Sequence, residues 1–199
     1  LYKDLSGKPA ATADKIDQVF TARVTLSGNP YPNDPLFHFF LGDGKDNQRR
    51  GLEEILQWDN ARKEKVHDYI QWLFPTYQRS QFNRDAPELT PELVSAMKQN
   101  PQVKQNMRRA FELMLHFYGL HYDASAQTVI PADDFESRVH SWCTPGNHNM
   151  LRITRILNSL KIFGFDAEAR AFLEALAEVK KQYGVPDRSY QFWVAAATK

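Results

Sequence analysis

A single cysteine, Cys143, stands among 199 residues, so no internal disulfide can staple this fold. The chain also lacks an Asn-x-Ser/Thr acceptor, and the two absences together point to an intracellular, reducing compartment. No apolar run approaches the roughly 18 residues that a spanning helix needs. No charged-then-apolar leader opens the chain, so it is expected to be soluble, and Leu1 as first residue points to a start further upstream. Charge of one sign is missing as well: 25 Lys and Arg against 24 Asp and Glu leave a net +1. Nothing in that balance draws the protein to nucleic acid or a membrane surface. A phosphate loop is absent too, since Gly42-Asp43-Gly44-Lys45 breaks the Gly-x4-Gly-Lys-Ser/Thr spacing and follows no strand. What is present is apolar material, 42% of residues hydrophobic and 13% aromatic, ample for a packed core.

Along the chain, the stretch to Leu26 reads two ways. Ile16, Val19, Phe20 and Arg23 fit a helical face behind an Asp14 cap, whereas Val19–Leu26 fits an alternating strand. Prolines at 30, 32 and 35 then make a loop, and the cluster Leu36–Leu41 should tuck onto the core. Residues 1–35 are thus expected to be an N-terminal extension and 36–199 the conserved domain. Helices dominate from there: Leu52–Trp58, Val66–Phe74 ended by Pro75, and two started by Thr90-Pro91 and Asn100-Pro101. The second of these carries Val103, Met107, Ala110, Phe111, Met114, Phe117 and Tyr118 on one stripe and stops at Gly119. Residues 120–131 have room for a small hairpin, which the helical pattern around them does not favour. A short helix over 134–141 leads into Thr144-Pro145-Gly146. Helices capped by Asn147, Asp166 and Asp187 complete one all-α domain of about eight irregularly packed helices.

The helix after Asn147 is the most informative element. At about 100° per residue, Ile153, Ile156, Leu157, Leu160 and Phe163 form one apolar stripe. His148, Arg152, Arg155 and Ser159 fall within about 60° of one another on a second stripe beside it. Leu151 and Ile162 project in a third direction. A helix apolar in two directions is packed on two sides, so its arginines should be part-buried and need anionic or carbonyl partners. Those come either from within the protein, with Asp133, Asp134, Glu136, Glu53 and Glu54 as sources, or from a ligand's anion at the helix start.

Other constellations are weaker. On Val66–Phe74, His67 and Gln71 lie opposite the apolar face, and Trp72 at its edge offers an amphipathic rim or an ordinary core contact. Cys143 with His140 and His148 matches no common zinc spacing, so no metal is expected. His116 and His121 lie about 140° apart on a helix and cannot share a metal from one face. Lys98, Lys104, Arg108 and Arg109 read as a solvated face without the interleaved aromatics that single strands need.

Two segments, Tyr69-Ile70-Gln71-Trp72-Leu73-Phe74-Pro75 and Asn147-His148-Asn149-Met150-Leu151-Arg152-Ile153-Thr154-Arg155-Ile156-Leu157, resemble in this order the conserved N-terminal domain of the opioid growth factor receptor family. Leu52-Glu53-Glu54-Ile55-Leu56 with Trp58 and Asp59, Leu89-Thr90-Pro91, and Ala110 to Leu120 are similar to further family segments, and the resemblance runs from about Phe37 to Ala197. The chain departs from it at Gly146-Asn147-His148-Asn149-Met150, where the family tends to read Ser-His-Asn-Asn. The resemblance implies a receptor for an opioid pentapeptide, methionine enkephalin, in the nuclear or perinuclear region, with peripheral membrane association at most. For a member from an organism without opioid peptides it implies peptide or protein binding.

With no nucleophile elbow, carboxylate pair, metal spacing or cofactor loop, neither catalysis nor a cofactor is expected. The leading expectation is a non-enzymatic recognition domain with a ligand site at His148, Asn149, Arg152, Arg155, Gln71, Trp72 and Tyr69. A bound peptide would set its C-terminal carboxylate on Arg152 and Arg155 and its aromatic ring near Trp72 or Tyr69. The alternative is a phosphate- or nucleotide-binding protein or enzyme using the His148/Arg152/Arg155 stripe. A third reading leaves the arginines fully paired inside a purely structural interaction domain.

Overall fold

A polar cap followed by proline, first Thr90-Pro91 and then Asn100-Pro101, starts two successive helices. In a computed structural model that describes residues 33–81 and 83–199, ten helices and one hairpin fall among those residues. They are α1 Pro35–Leu41, α2 Leu52–Leu56, α3 Asn60–Lys65, α4 Ile70–Leu73, α5 Pro91–Gln99, α6 Pro101–Phe117, β1 Leu120–Asp123, β2 Thr128–Pro131, α7 Phe135–Trp142, α8 Asn149–Ile162, α9 Asp166–Tyr183 and α10 Asp187–Thr198. The fold is predominantly helical, as expected, and Asp34–Lys199 pack as one unit. The helix-or-strand choice for 14–26 lies outside the described residues.

Helix α6 forms the centre. Asn100 ends α5 and starts α6, its Oδ1 accepting the Val103 N–H at 3.0 Å with Pro101 behind it. Every member of the expected stripe from Val103 to Tyr118 is buried against α1, α2, α5 and β1. One polar residue joins it: buried Asn106 donates from Nδ2 to the Phe40 carbonyl at 2.7 Å, tying α6 to α1. At Gly119 (φ +77) the chain reverses into the hairpin, Leu120 pairing with Pro131 and Asp123 with Thr128. The hairpin corrects the all-helical expectation for this stretch. Its turn is held by Asp123 Oδ1, which accepts the N–H groups of Ser125 and Ala126 at 2.9 and 3.2 Å.

The expected helix over 66–74 is a second correction. Asp59 caps α3 by accepting the Arg62 N–H at 2.8 Å, but Val66 turns extended (φ −87, ψ 134). Helix resumes only as the single turn α4 before Pro75. The period of Tyr69, Ile70, Leu73 and Phe74 was real; it described one turn rather than two. The break leaves the carbonyls of Lys63 and Val66 without helical partners, and the site is built on them.

Helix α8 is held from the far side. Ile153, Ile156, Leu157, Leu160 and Phe163 are buried, with α9 and α10 packed on the helix. Trp193 of α10, fully buried, donates from Nε1 to the Met150 carbonyl at 3.0 Å. The N-cap position is His148, which makes no side-chain cap bond, and Asn147, expected as the cap, lies one residue earlier with its Oδ1 accepting the Asn149 N–H at 2.9 Å. Gly164 (φ +79) closes it, letting the Phe165 N–H reach the Leu160 carbonyl at 2.8 Å. Asp166 and Asp187, expected as caps, are instead the first residues of α9 and α10 and pair with Lys161 and Lys180.

Candidate functional site

The near side of α8 faces the broken 63–74 segment. Arg152 is 6% exposed and turns into that break. Its Nη1 donates to the Lys63 carbonyl at 3.0 Å and its Nη2 to the Val66 carbonyl at 2.8 Å. The guanidinium also lies over the Tyr69 ring, 5.6 Å from its centroid. One turn on, part-buried Arg155 donates from Nε to the Phe74 carbonyl at 2.8 Å. Burial alone pushes its guanidinium down to about 10, and no carboxylate among the described residues offsets the effect. None of the five carboxylates expected as internal partners meets either arginine. The partners are carbonyls that the helix break set free.

At the start of α8, His148 Nε2 lies 2.9 Å from Glu64 Oε1, and its ring meets His67 edge to face at 5.2 Å. Desolvation holds the His148 imidazole below its ordinary value, Glu64 pulling it up and Arg152 and His67 pushing it down. Asn149 is fully buried: its Nδ2 donates to Glu64 at 3.3 Å and its Oδ1 accepts from the Tyr118 hydroxyl at 3.3 Å.

Between α8 and residues 67–81 runs an open groove of about 420 Å³. Its α8 wall is the row Leu151, Thr154, Arg155 and Asn158, at helical spacings of three and four. The opposite side includes His67, Ile70, Gln71 and Arg79. Three arginines and two histidines line it, and no acidic residue does among the described ones. Leu151 is 63% exposed. Gln71, by contrast, is 7% exposed, and its side-chain carbonyl is buried with no hydrogen-bond donor.

The groove therefore brings together His148, Arg152, Arg155 and Gln71 of the expected site. It does not include Tyr69, Trp72 or Asn149. Tyr69 is in the core, its hydroxyl donating to the Lys63 carbonyl at 2.9 Å, and burial raises its pKa. Trp72 is in the core as well, packed edge-on against Phe39 with its indole N–H given to Asn47 at 3.0 Å. Ser159, the last member of the cationic stripe, is buried. Leu151, expected to project in a third direction, and Asn158, which sequence reasoning passed over, both stand on one row with Arg155 at i−4 and i+3. Elsewhere, His116 and His121 come ring to ring at 6.2 Å because the chain turns between them at Gly119. No set of three metal-ligating side chains forms among the described residues.

A family model described as the opioid growth factor receptor (OGFr) conserved region matches residues 46–197. The opioid growth factor receptor of Rattus norvegicus is 44% identical over 119 residues, which cover 58% of this chain and 20% of that protein. The human opioid growth factor receptor is 37% identical over 155 residues, covering 73% of this chain and 22% of that protein. Opioid growth factor receptor-like protein 1 of Mus musculus is 34% identical over 119 residues, 58% of this chain and 25% of that protein. The chain thus spans about a quarter or less of these relatives. No solved structure matches it.

Proposed function

We propose, from the premise that this chain belongs to the opioid growth factor receptor family, that its conserved domain, residues 36–199, is a non-enzymatic recognition module. The α8 groove receives a peptide or a segment of a protein partner. The observation that carries this reading is the acid-free lining around Arg155, a part-buried cation that no carboxylate of the described chain neutralises. A buried guanidinium without a counter-charge is an unfavourable arrangement that an anionic ligand relieves. The receptor names of the relatives support binding over catalysis. The family resemblance adds a short opioid peptide as the first ligand to try, and an intracellular, nuclear or perinuclear setting. No helix among the described residues is long and apolar enough to cross a membrane.

A phosphate or nucleotide in the same groove is the competing reading, favoured by the three arginines. Against it, Arg152 has committed two donors to backbone carbonyls and Arg79 is paired with Glu88 at 2.6 Å. That leaves one guanidinium for a multiply charged group.

Backbone amide shift mapping tests both. Titrating methionine enkephalin and, separately, inorganic phosphate and ATP into isotope-labelled protein should move the amides of Leu151, Thr154, Arg155 and Asn158 with the peptide. Shifts confined to the phosphate-bearing ligands would overturn the peptide reading. Peptide shifts located away from α8 would remove the groove as the site.

A further inference from the structure

We infer that the α8 groove reads a free peptide C-terminus: Arg155 takes the terminal carboxylate, the Gln71 side-chain carbonyl accepts an N–H from the last peptide unit, and Leu151 packs on an apolar final side chain. The inference rests on the peptide-binding reading above and specifies what that site recognises.

Three features of the lining carry it. Arg155 spends only its Nε, on the Phe74 carbonyl. That bond orients the guanidinium and leaves both terminal nitrogens without a bond among the described residues. Two parallel N–H donors from one planar group match the two oxygens of a carboxylate.

Gln71 supplies the second feature. It is more than nine-tenths buried and lines the groove, yet its carbonyl oxygen has no donor. An unpaired buried acceptor is unfavourable, and an N–H or O–H donor satisfies it. Gln71 stands three residues before Phe74, whose carbonyl anchors Arg155, and Gln71 and Arg155 line the same groove. A phosphomonoester dianion brings acceptors only and would leave Gln71 unmet, and inorganic phosphate brings O–H but no N–H donors. A peptide end brings a carboxylate and an N–H side by side on one residue.

The third feature is Leu151. It is an exposed apolar side chain, four residues before Arg155 on the same face of α8. An apolar contact beside the charge favours a ligand whose last residue is apolar. No Asp or Glu among the described lining residues would repel the carboxylate.

The test uses the whole 199-residue chain on an array of heptapeptides tethered by their N-termini. The last two positions are varied, and every sequence is present as the free acid and as the C-terminal amide. The strongest free acid is then measured in solution by fluorescence anisotropy against its amide, with inorganic phosphate as competitor. We expect free acids ending in apolar residues to bind at least about tenfold tighter than their amides, the scale of one lost charge-assisted pair. Arg155→Gln should lose that preference. Leu151→Asp changes an exposed position and should keep the wild-type melting point; it places a rival carboxylate beside Arg155 and should abolish binding even if Arg155→Gln is unstable. Equal binding of acids and amides would overturn the inference while leaving the groove a peptide site. Displacement by millimolar phosphate would overturn it in favour of a phosphate ligand. Failure of every peptide, acid or amide, would remove both readings.

Discussion

The carbonyl oxygen of Lys63 receives two donors, Arg152 Nη1 from 89 residues away at 3.0 Å and the Tyr69 hydroxyl from six residues away at 2.9 Å. Its lone pairs are thereby filled by groups that replace the helical N–H lost when α3 ends. Arg152 is the bolt that holds α8 to this break.

Arg152→Met should for that reason be a folding mutation rather than a binding one. It strips one of two donors from the buried Lys63 carbonyl and an Nη2 donor from the part-buried Val66 carbonyl, at a cost of roughly 2–4 kcal/mol. For a domain of this size that lowers the melting temperature by about 5–15 °C. Arg155→Gln removes one backbone bond but also a poorly solvated charge, so its melting point should stay within a few degrees of wild type, about 1 kcal/mol or less. Differential scanning calorimetry on both variants decides it. Equal melting points for the pair would mean that the two arginines do the same job.

Gly119 gives a sharper case. Its φ of +77 is where L side chains are strained, and an added Cβ would lie 2.8 Å from Arg138 Cβ and from the Phe135 backbone. The strain is of order 1–2 kcal/mol, and the contact with α7 adds to it because a backbone atom cannot step aside. Gly119→Ala should lose about 2–4 kcal/mol on chemical denaturation. A loss under about 0.5 kcal/mol would show that α7 moves freely against the end of α6.

The elements most readable from sequence were those in which one period runs unbroken between an asparagine at the start and a glycine. Asn100-Pro101 to Gly119 and Asn147 to Gly164 are the two examples, and every apolar residue assigned to their inner stripes is buried. The break at Val66 was not legible, because Tyr69 to Phe74 keeps helical spacing within a single turn and nothing local marks the stop. The site suffered for the same reason. The stripe of His148, Arg152, Arg155 and Ser159 assumed that residues sharing a helix face share a destination. In fact Arg152 spends both terminal nitrogens on backbone carbonyls and Ser159 is buried, while Arg155 spends only its Nε and stands with Leu151 and Asn158 on the groove wall. Which carbonyls are orphaned is a tertiary fact. Trp72 and Tyr69 were likewise drawn to the site by their chemistry and to the core by their area.

His148 and Glu64 define a titration whose direction is set. The imidazole sits below its ordinary value of 6.5 because burial outweighs the carboxylate. As pH falls through about 6.5, the unfolded chain takes up this proton before the folded one, so the group's contribution to stability declines on acidification. Glu64→Gln removes the one influence that raises the value. In two-dimensional NMR the His148 ring should then titrate lower than in wild type. An upward move would mean that Arg152 and His67 are not the neighbours that govern it.

Lys63 carries the last prediction. Its side chain is 4% exposed and has no carboxylate partner at salt-bridge distance among the described residues. Its ammonium lies 6.0 Å from the Phe117 ring centroid, with the Arg138 guanidinium over the same ring at 4.9 Å. Burial first, and then Arg138, push its pKa from 10.5 down to about 8. Below about pH 8 the amine is charged in both folded and unfolded chains, and the folded state bears the cost of a desolvated cation. Between about 8 and 10.5 the folded amine is neutral while the unfolded one still binds its proton, so stability from this group rises with pH. Lys63→Met keeps the stem and removes the charge. It should raise stability by roughly 1–3 kcal/mol at neutral pH, and that advantage should shrink as pH approaches about 9.5. Urea denaturation of wild type and variant across this range measures the difference directly. A gap that stays constant with pH would show that the amine keeps its proton in the fold and that the gain comes from packing alone.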